Sequence, residues 1–241
     1  MNKVRRRLFI HAGTHKTGST SIQLLLRETA KVASDAGAKV IYDYHGGTRT
    51  NAATIAHTFI RSELWTATRI IGEQPPSFGS EDVIDYLTQQ INGGTHERYL
   101  LSAEAFCYMR TRNERKYLSR RLDRLKCEVV PIVYLRDTAA WKASWESQLQ
   151  KMGRTHVFRI RHPDKFKLLD DWYFDKDSLV EFWRAISPLA IFLDYDQEVA
   201  ERGSVIPSFL NAVGLPQSLN SDRYFLNTRS ASQRRHAENS N

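Results

Sequence analysis

The sequence predicts a single three-layer α/β domain built on a mostly parallel central sheet of about five strands. Three observations carry this expectation. Short apolar runs recur along the chain without polar alternation, as strands covered on both faces require. Segments with apolar residues at helical spacing lie between them. The chain has 241 residues, 41% apolar and 26% charged, which is enough for one sizeable core and short for two.

The five runs are Arg7–His11, Lys39–Tyr42, Tyr99–Ser102, Val129–Leu135 and Leu189–Leu193. After the first, Ile22, Leu25, Leu26, Thr29 and Ala33 share one helical face, and Gly37 supplies a stop. After the fourth, Trp141, Trp145, Gln148, Leu149 and Met152 repeat that spacing. Two stretches fit the alternation poorly. Residues 43–94 hold helix-like segments at 51–66 and 80–91, and residues 155–174 are basic and aromatic. Insertions of this kind often carry an acceptor pocket at the C-terminal edge of such a sheet. The expected domain spans residues 1–229, and 230–241 read as a polar C-terminal tail.

The formal net charge of +8 favours anionic partners such as nucleotides, acidic glycans, nucleic acid or lipid headgroups. The densest basic run, Arg110 to Lys126, reads as the solvated face of a helix. No zinc-finger spacing, RNA-binding sheet motif or helix-turn-helix pattern accompanies it, so a nucleic-acid partner is not expected. No run of ~18 apolar residues is present, so no membrane span is expected. The N-terminus lacks the apolar stretch of a signal peptide. The two cysteines, Cys107 and Cys127, read as reduced thiols of a cytoplasmic protein. The histidines show no ligand spacing, so no metal is expected.

The strongest functional signal is the stretch LFIHAGTHKTGSTSIQLLL, which runs strand, loop, helix. Gly13 and Gly18 let the backbone wrap an anion closely. The loop then opens a helix, whose free N–H groups and dipole attract phosphate. Lys16 adds a full positive charge, and Ser19 and Thr20 place hydroxyl groups at the helix start. The pattern departs from GxxxxGK[ST], because Lys16 precedes Gly18 instead of following it. No obvious acidic magnesium ligand closes the second strand, which counts against an ATP- or GTP-dependent kinase.

GTHKTGST followed by SIQ resembles the 5′-phosphosulfate loop of sulfotransferases that use 3′-phosphoadenosine 5′-phosphosulfate (PAPS), in the bacterial and glycan-type branch of that P-loop-like family. Ser19 stands where threonine is commoner. The resemblance implies transfer of a sulfuryl group from PAPS to a hydroxyl or amine, with 3′-phosphoadenosine 5′-phosphate (PAP) as product. It implies that Thr14, His15, Lys16, Thr17, Gly18, Ser19 and Thr20 form the cradle.

A second signature follows the fourth run. Arg136 sits at the strand's C-terminal end in VYLRD, and Ser144 lies eight residues later on a helix whose side chains lean back toward that end. An arginine and a hydroxyl together suit a phosphate. The family holds the donor's 3′-phosphate with this pair at this spacing. The resemblance also places Asn227, Thr228, Arg229 and Ser230 over the nucleotide. The GxxGxxK segment of cytosolic small-molecule sulfotransferases is absent.

In-line sulfuryl transfer needs charge neutralisation at the leaving oxygen and a base near the acceptor. Lys16 is the candidate for the first. Glu104, just after the third run, is the first candidate for the second, and a salt-bridged or capping carboxylate is the competing reading. His57 is the alternative base or a half-buried helix residue. Trp65, Trp172, Tyr173, Arg159 and Arg161 could line a sugar site. The expected partners are therefore a nucleotide donor and a hydroxylated acceptor, of carbohydrate type by the resemblance alone. A P-loop small-molecule kinase and a non-catalytic nucleotide- or polymer-binding protein are the competing functions.

Overall fold

A computed structural model describes residues 5–44, 49–64, 66, 69, 78–154 and 171–224. The sheet consists of β1 (Arg7–His11), β2 (Ala38–Val40), β3 (Arg98–Ser102), β4 (Glu128–Leu135) and β5 (Ile191–Asp194). Their order is β2-β3-β1-β4-β5, and every pair is parallel. All five apolar runs are strands, the first with the expected ends and the others with ends moved by at most two residues.

The eight described α-helices are α1 (Ser19–Asp35), α2 (Ala53–His57), α3 (Ser80–Asn92), α4 (Arg112–Leu122), α5 (Thr138–Arg154), α6 (Lys176–Ile186), α7 (Tyr195–Arg202) and α8 (Ile206–Val213). The face expected for α1 is the one it buries: Ile22, Leu25, Leu26, Thr29 and Ala33 all lie inside. In α5, Trp141 and Trp145 are buried and Gln148 is half-buried. The side chains of Leu149 and Met152 fall outside the described set. The helix expected over 51–66 shrinks to the five residues of α2, whereas the one at 80–91 is α3.

Side chains alternate across the central strand and so divide the core into two layers. Leu8 and Ile10 of β1 point toward α2 to α6, where Val83, Leu118, Trp141 and Trp183 pack. Phe9 points the other way, onto Leu25 of α1 and Phe209 of α8. Pro131 sits inside β4, opposite Ile10. Pairing with β5 begins only at Ile132, so the N–H that proline lacks falls where β5 has not yet started.

The basic run forms α4 and the short 3₁₀ turn after it. Ion pairs take up much of its charge: Arg121 and Arg124 meet Glu81, Arg124 also meets Asp85, and Arg115 meets Glu181. The sequence suggested a solvated face, and the ion pairs are what the fold adds to it. Both cysteines are free, Cys107 buried and Cys127 half-buried. No helix among the described residues is long and apolar enough to cross a membrane.

β1 leads to β2 on one side of itself, while its neighbour β4 leads to β5 on the other. The connections leaving β1 and β4 therefore diverge, and a crevice opens between their C-terminal ends. Open α/β sheets place ligands at such a switch point.

Candidate functional site

The loop Ala12–Gly18 leaves β1 at this crevice and returns as α1. Its shape comes from its own polar groups. Thr14 Oγ1 donates to Tyr134 O of β4 at 3.2 Å, and Thr17 Oγ1 donates to Thr14 O at 2.5 Å. Both threonines are fully buried. Their hydroxyls thus build the loop instead of facing a ligand. Thr20 is exposed on the first turn of α1.

Two consecutive turns of the loop need left-handed backbone. Lys16 takes φ 69° and Gly18 takes φ 77°. Glycine tolerates this at little cost. At Lys16 the carbonyl is held in place by Arg136, whose Nη1 donates to it at 2.9 Å. Gly18 is also in close contact, because a Cβ there would lie 2.7 Å from Val205 Cγ2. Gly18→Ala is therefore expected to cost roughly 1–3 kcal/mol. A thermal melt of the purified variant checks this.

The start of α1 is uncapped by any side chain, and the first amides that fold back, Ser21 and Ile22, both reach Gly18 O. Ser19 is 3% exposed, and its Oγ has no hydrogen-bond partner among the described residues. A buried hydroxyl without a partner is costly unless a ligand supplies one. It lies at the positive end of a 17-residue helix.

Arg136 follows β4 directly, as expected, and reaches across the crevice to the loop. Its guanidinium lies over the Tyr195 ring at 4.9 Å, and Nε is 3.6 Å from Asp196 Oδ1. Asp196 Oδ2 in turn accepts from Asp137 N at 2.7 Å, which ties α7 to the end of β4. Ser144 is half-buried on α5. Lys16 Nζ donates to Gln148 Oε1 on the same helix at 3.4 Å. The loop and Arg136 thus meet, Gln148 of α5 reaches the loop, and Ser144 stands one turn earlier on the same helix.

His15 points into a cluster that sequence reasoning did not assemble. Its Nδ1 lies 2.5 Å from Tyr173 Oη and 3.2 Å from Cys107 Sγ. The rings of Trp145 and Tyr108 pack at 4.9 and 5.0 Å. Tyr173, expected on an acceptor surface, is instead fully buried here. Burial and Cys107 together hold its phenol well above the usual tyrosine range. Arg110 pins the cluster by donating to Cys107 O, to Met109 O at 2.9 Å and to Tyr173 O at 3.2 Å.

Glu104 opens the 3₁₀ turn Glu104–Tyr108 immediately after β3 and is half-buried. His57 is placed differently from a base. Its Nδ1 donates to Ala53 O at 2.6 Å and its Nε2 meets Thr66 Oγ1 at 2.9 Å, so both nitrogens are engaged. Burial lowers its pKa and keeps it neutral. It serves the packing of α2. Trp172 is half-buried under the Arg61 guanidinium at 5.0 Å. Trp65, Arg159, Arg161 and residues 225–241, including Asn227, Thr228, Arg229, Ser230 and the expected tail, lie outside the described residues.

His11 is a further residue the sequence reading passed over. It is the last residue of β1, 1% exposed, and shares Nδ1 with Ser102 Oγ at 2.9 Å. Burial drives its pKa down to about 3, so the ring is neutral. It lies directly beneath Gly13, where a Cβ would come within 2.7 Å of Nε2. A histidine ending an otherwise apolar strand was the available signal. Among the described residues, no three metal-ligating side chains converge.

No protein-family description matches the chain, and no curated protein sequence matches it. Several solved structures are similar, two of which follow. One is a sulfotransferase from Alicyclobacillus acidocaldarius, 10% identical, with a TM-score of 0.51 over 88% of this chain and 83% of that one. The other is the full-length tRNA isopentenylpyrophosphate transferase of Bacillus halodurans, 11% identical, with a TM-score of 0.34 over 88% of this chain and 98% of that one. The first overlay, with the all-parallel five-stranded sheet, shows that this chain has a P-loop-like α/β fold shared with a sulfotransferase.

Proposed function

We propose that the chain is a sulfotransferase that uses PAPS and passes its sulfuryl group to an acceptor hydroxyl or amine. The observation that carries this reading is the crevice between β1 and β4. There Arg136 is hydrogen-bonded to the Lys16 loop, the Ser19 hydroxyl is buried without a partner among the described residues, and the start of α1 has no side-chain cap. A lysine placed before the second glycine and an arginine–serine pair eight residues apart match the two phosphate signatures of that family. The residues present fit the donor: the loop amides, Lys16 and Ser19 would hold the 5′-phosphosulfate, and Arg136 and Ser144 the 3′-phosphate. When bound, PAPS supplies an activated sulfuryl group on a phosphate leaving group.

In this reading Lys16 neutralises charge on the leaving oxygen. Glu104, at the end of the strand next to β1, takes the acceptor proton. The acceptor is a hydroxylated compound of carbohydrate type, and the chemistry needs no metal. We place the enzyme in the cytoplasm, in keeping with its two free thiols. The test is thermal stabilisation. PAP at about 100 times its Kd should stabilise the protein by about 2.7 kcal/mol. ATP with magnesium should do less. Stabilisation by the ATP complex alone would sink the proposal in favour of a kinase. An acceptor screen with labelled PAPS across glycans, lipids and phenols then identifies the second substrate.

A further inference from the structure

The environment of His15 is more elaborate than a loop residue needs. Tyr173 Oη and Cys107 Sγ both approach Nδ1, and among the described residues Nε2 carries no hydrogen bond. The ring is walled by Trp145, Tyr108 and Tyr173. These contacts choose which nitrogen stays available, and the aromatic walls keep the charge on the ring poorly screened. The loop itself carries the ring to the crevice where the start of α1 and the unpartnered Ser19 hydroxyl await an anion.

We propose that His15 is a second cation of the phosphate loop: its imidazolium joins Lys16 on the bound nucleotide phosphate, and binding takes up a proton. This rests on the reading that the loop holds the donor's phosphates. A neutral imidazole has one donor, but the imidazolium has two. One N–H can then remain on the Tyr173–Cys107 pair while the other meets a phosphate oxygen.

The groups that bear on the ring come from every element around it. Burial disfavours its charge, and Lys16 of the loop adds to that. Cys107 and Glu104, from the turn after β3, favour the charge and prevail, so the pKa is raised to about 8. Tyr108 from the same turn, Tyr173 from the turn before α6, and His57 of α2 complete the set. A bound phosphate raises the pKa again, so ligand and proton promote each other's binding. The sign follows. Affinity is full below the pKa of the free ring and falls as pH rises through it.

The test is titration calorimetry with PAP and, separately, with ADP, from pH 7 to 9.5. This window lies above the second phosphate ionisation at roughly 6 and below lysine near about 10.4. The wild type should lose affinity by about tenfold across it, as loss of a charge-assisted hydrogen bond predicts. His15→Gln should bind more weakly at pH 7 and show no pH limb. Cys107→Ala should retain a limb displaced to lower pH, which also excludes titration of the thiol as its source. Melting curves confirm that the variants fold. A flat wild-type profile, or an unchanged limb in His15→Gln, overturns the proposal. A limb with ADP but no binding of PAP keeps the role of His15 and overturns the sulfotransferase reading. Binding of neither nucleotide overturns both.

Discussion

Lys16→Met is expected to lower sulfuryl transfer by about 10²–10³-fold while the melting temperature stays within a few degrees of the wild type. In the proposed reaction Lys16 is the loop residue whose ammonium would meet the negative charge growing on the leaving oxygen. Removing a preorganised donor of this kind raises the barrier without touching the core. Methionine is the informative substitution because the main chain here is strained. Lys16 holds φ 69°, and its carbonyl is fixed by Arg136. A stem of similar length and shape keeps that arrangement, so a loss of rate reports the ammonium group. Initial rates with labelled PAPS, measured beside a thermal melt, give the answer. Turnover within a few-fold of wild type would remove Lys16 from the chemistry.

Glu114→Ala should destabilise the protein by about 3–5 kcal/mol. The carboxylate is 5% exposed. It accepts from Arg110 N at 3.0 Å, from Thr111 N and Oγ1 at 2.9 Å each, and from Arg61 Nη1 at 3.0 Å. It therefore caps α4, fixes the segment after α2, and neutralises a largely buried guanidinium. Alanine would leave the Arg61 guanidinium without its carboxylate and two amides without acceptors. The carboxylate also shapes the acid limb of stability. Burial opposes its charge, but the amides of Thr111 and Arg110 and the Arg61 charge outweigh burial, and its pKa is lowered. The folded pKa lies below the unfolded value of about 4.3. Its contribution is thus complete above that value and is lost as pH falls through the folded pKa. Urea melts from pH 7 to 3 should show a shallower acid loss in Glu114→Gln than in the wild type.

The loop was legible because its pattern is local in the chain. Strand, glycines, lysine and helix all lie within Arg7–Asp35. The buried face of α1 followed from spacing for the same reason. The cluster at His15 was not legible, since its partner Tyr173 stands 158 positions away in a segment that reads as an exposed aromatic insertion. His57 was open between a base and a half-buried helix residue, and the fold took the second, with both nitrogens engaged, because the sequence does not say what a ring's nitrogens will meet. Thr14 and Thr17 look like phosphate ligands in the sequence, yet the fold turns their hydroxyls onto Tyr134 O and Thr14 O.

Hydrophobic periodicity by itself determined the α/β class and the five strands, because both depend on residues a few positions apart. Strand order is a different matter. It arises from which surfaces bury one another across the chain, and it alone placed β4 beside β1 and opened the crevice between them. Arg136 lies 120 positions from Lys16 and becomes its hydrogen-bond partner only through that order. Tertiary packing likewise decided that His15 would meet a thiol and a phenol, since the charge of a ring depends on what surrounds it and not on what precedes it.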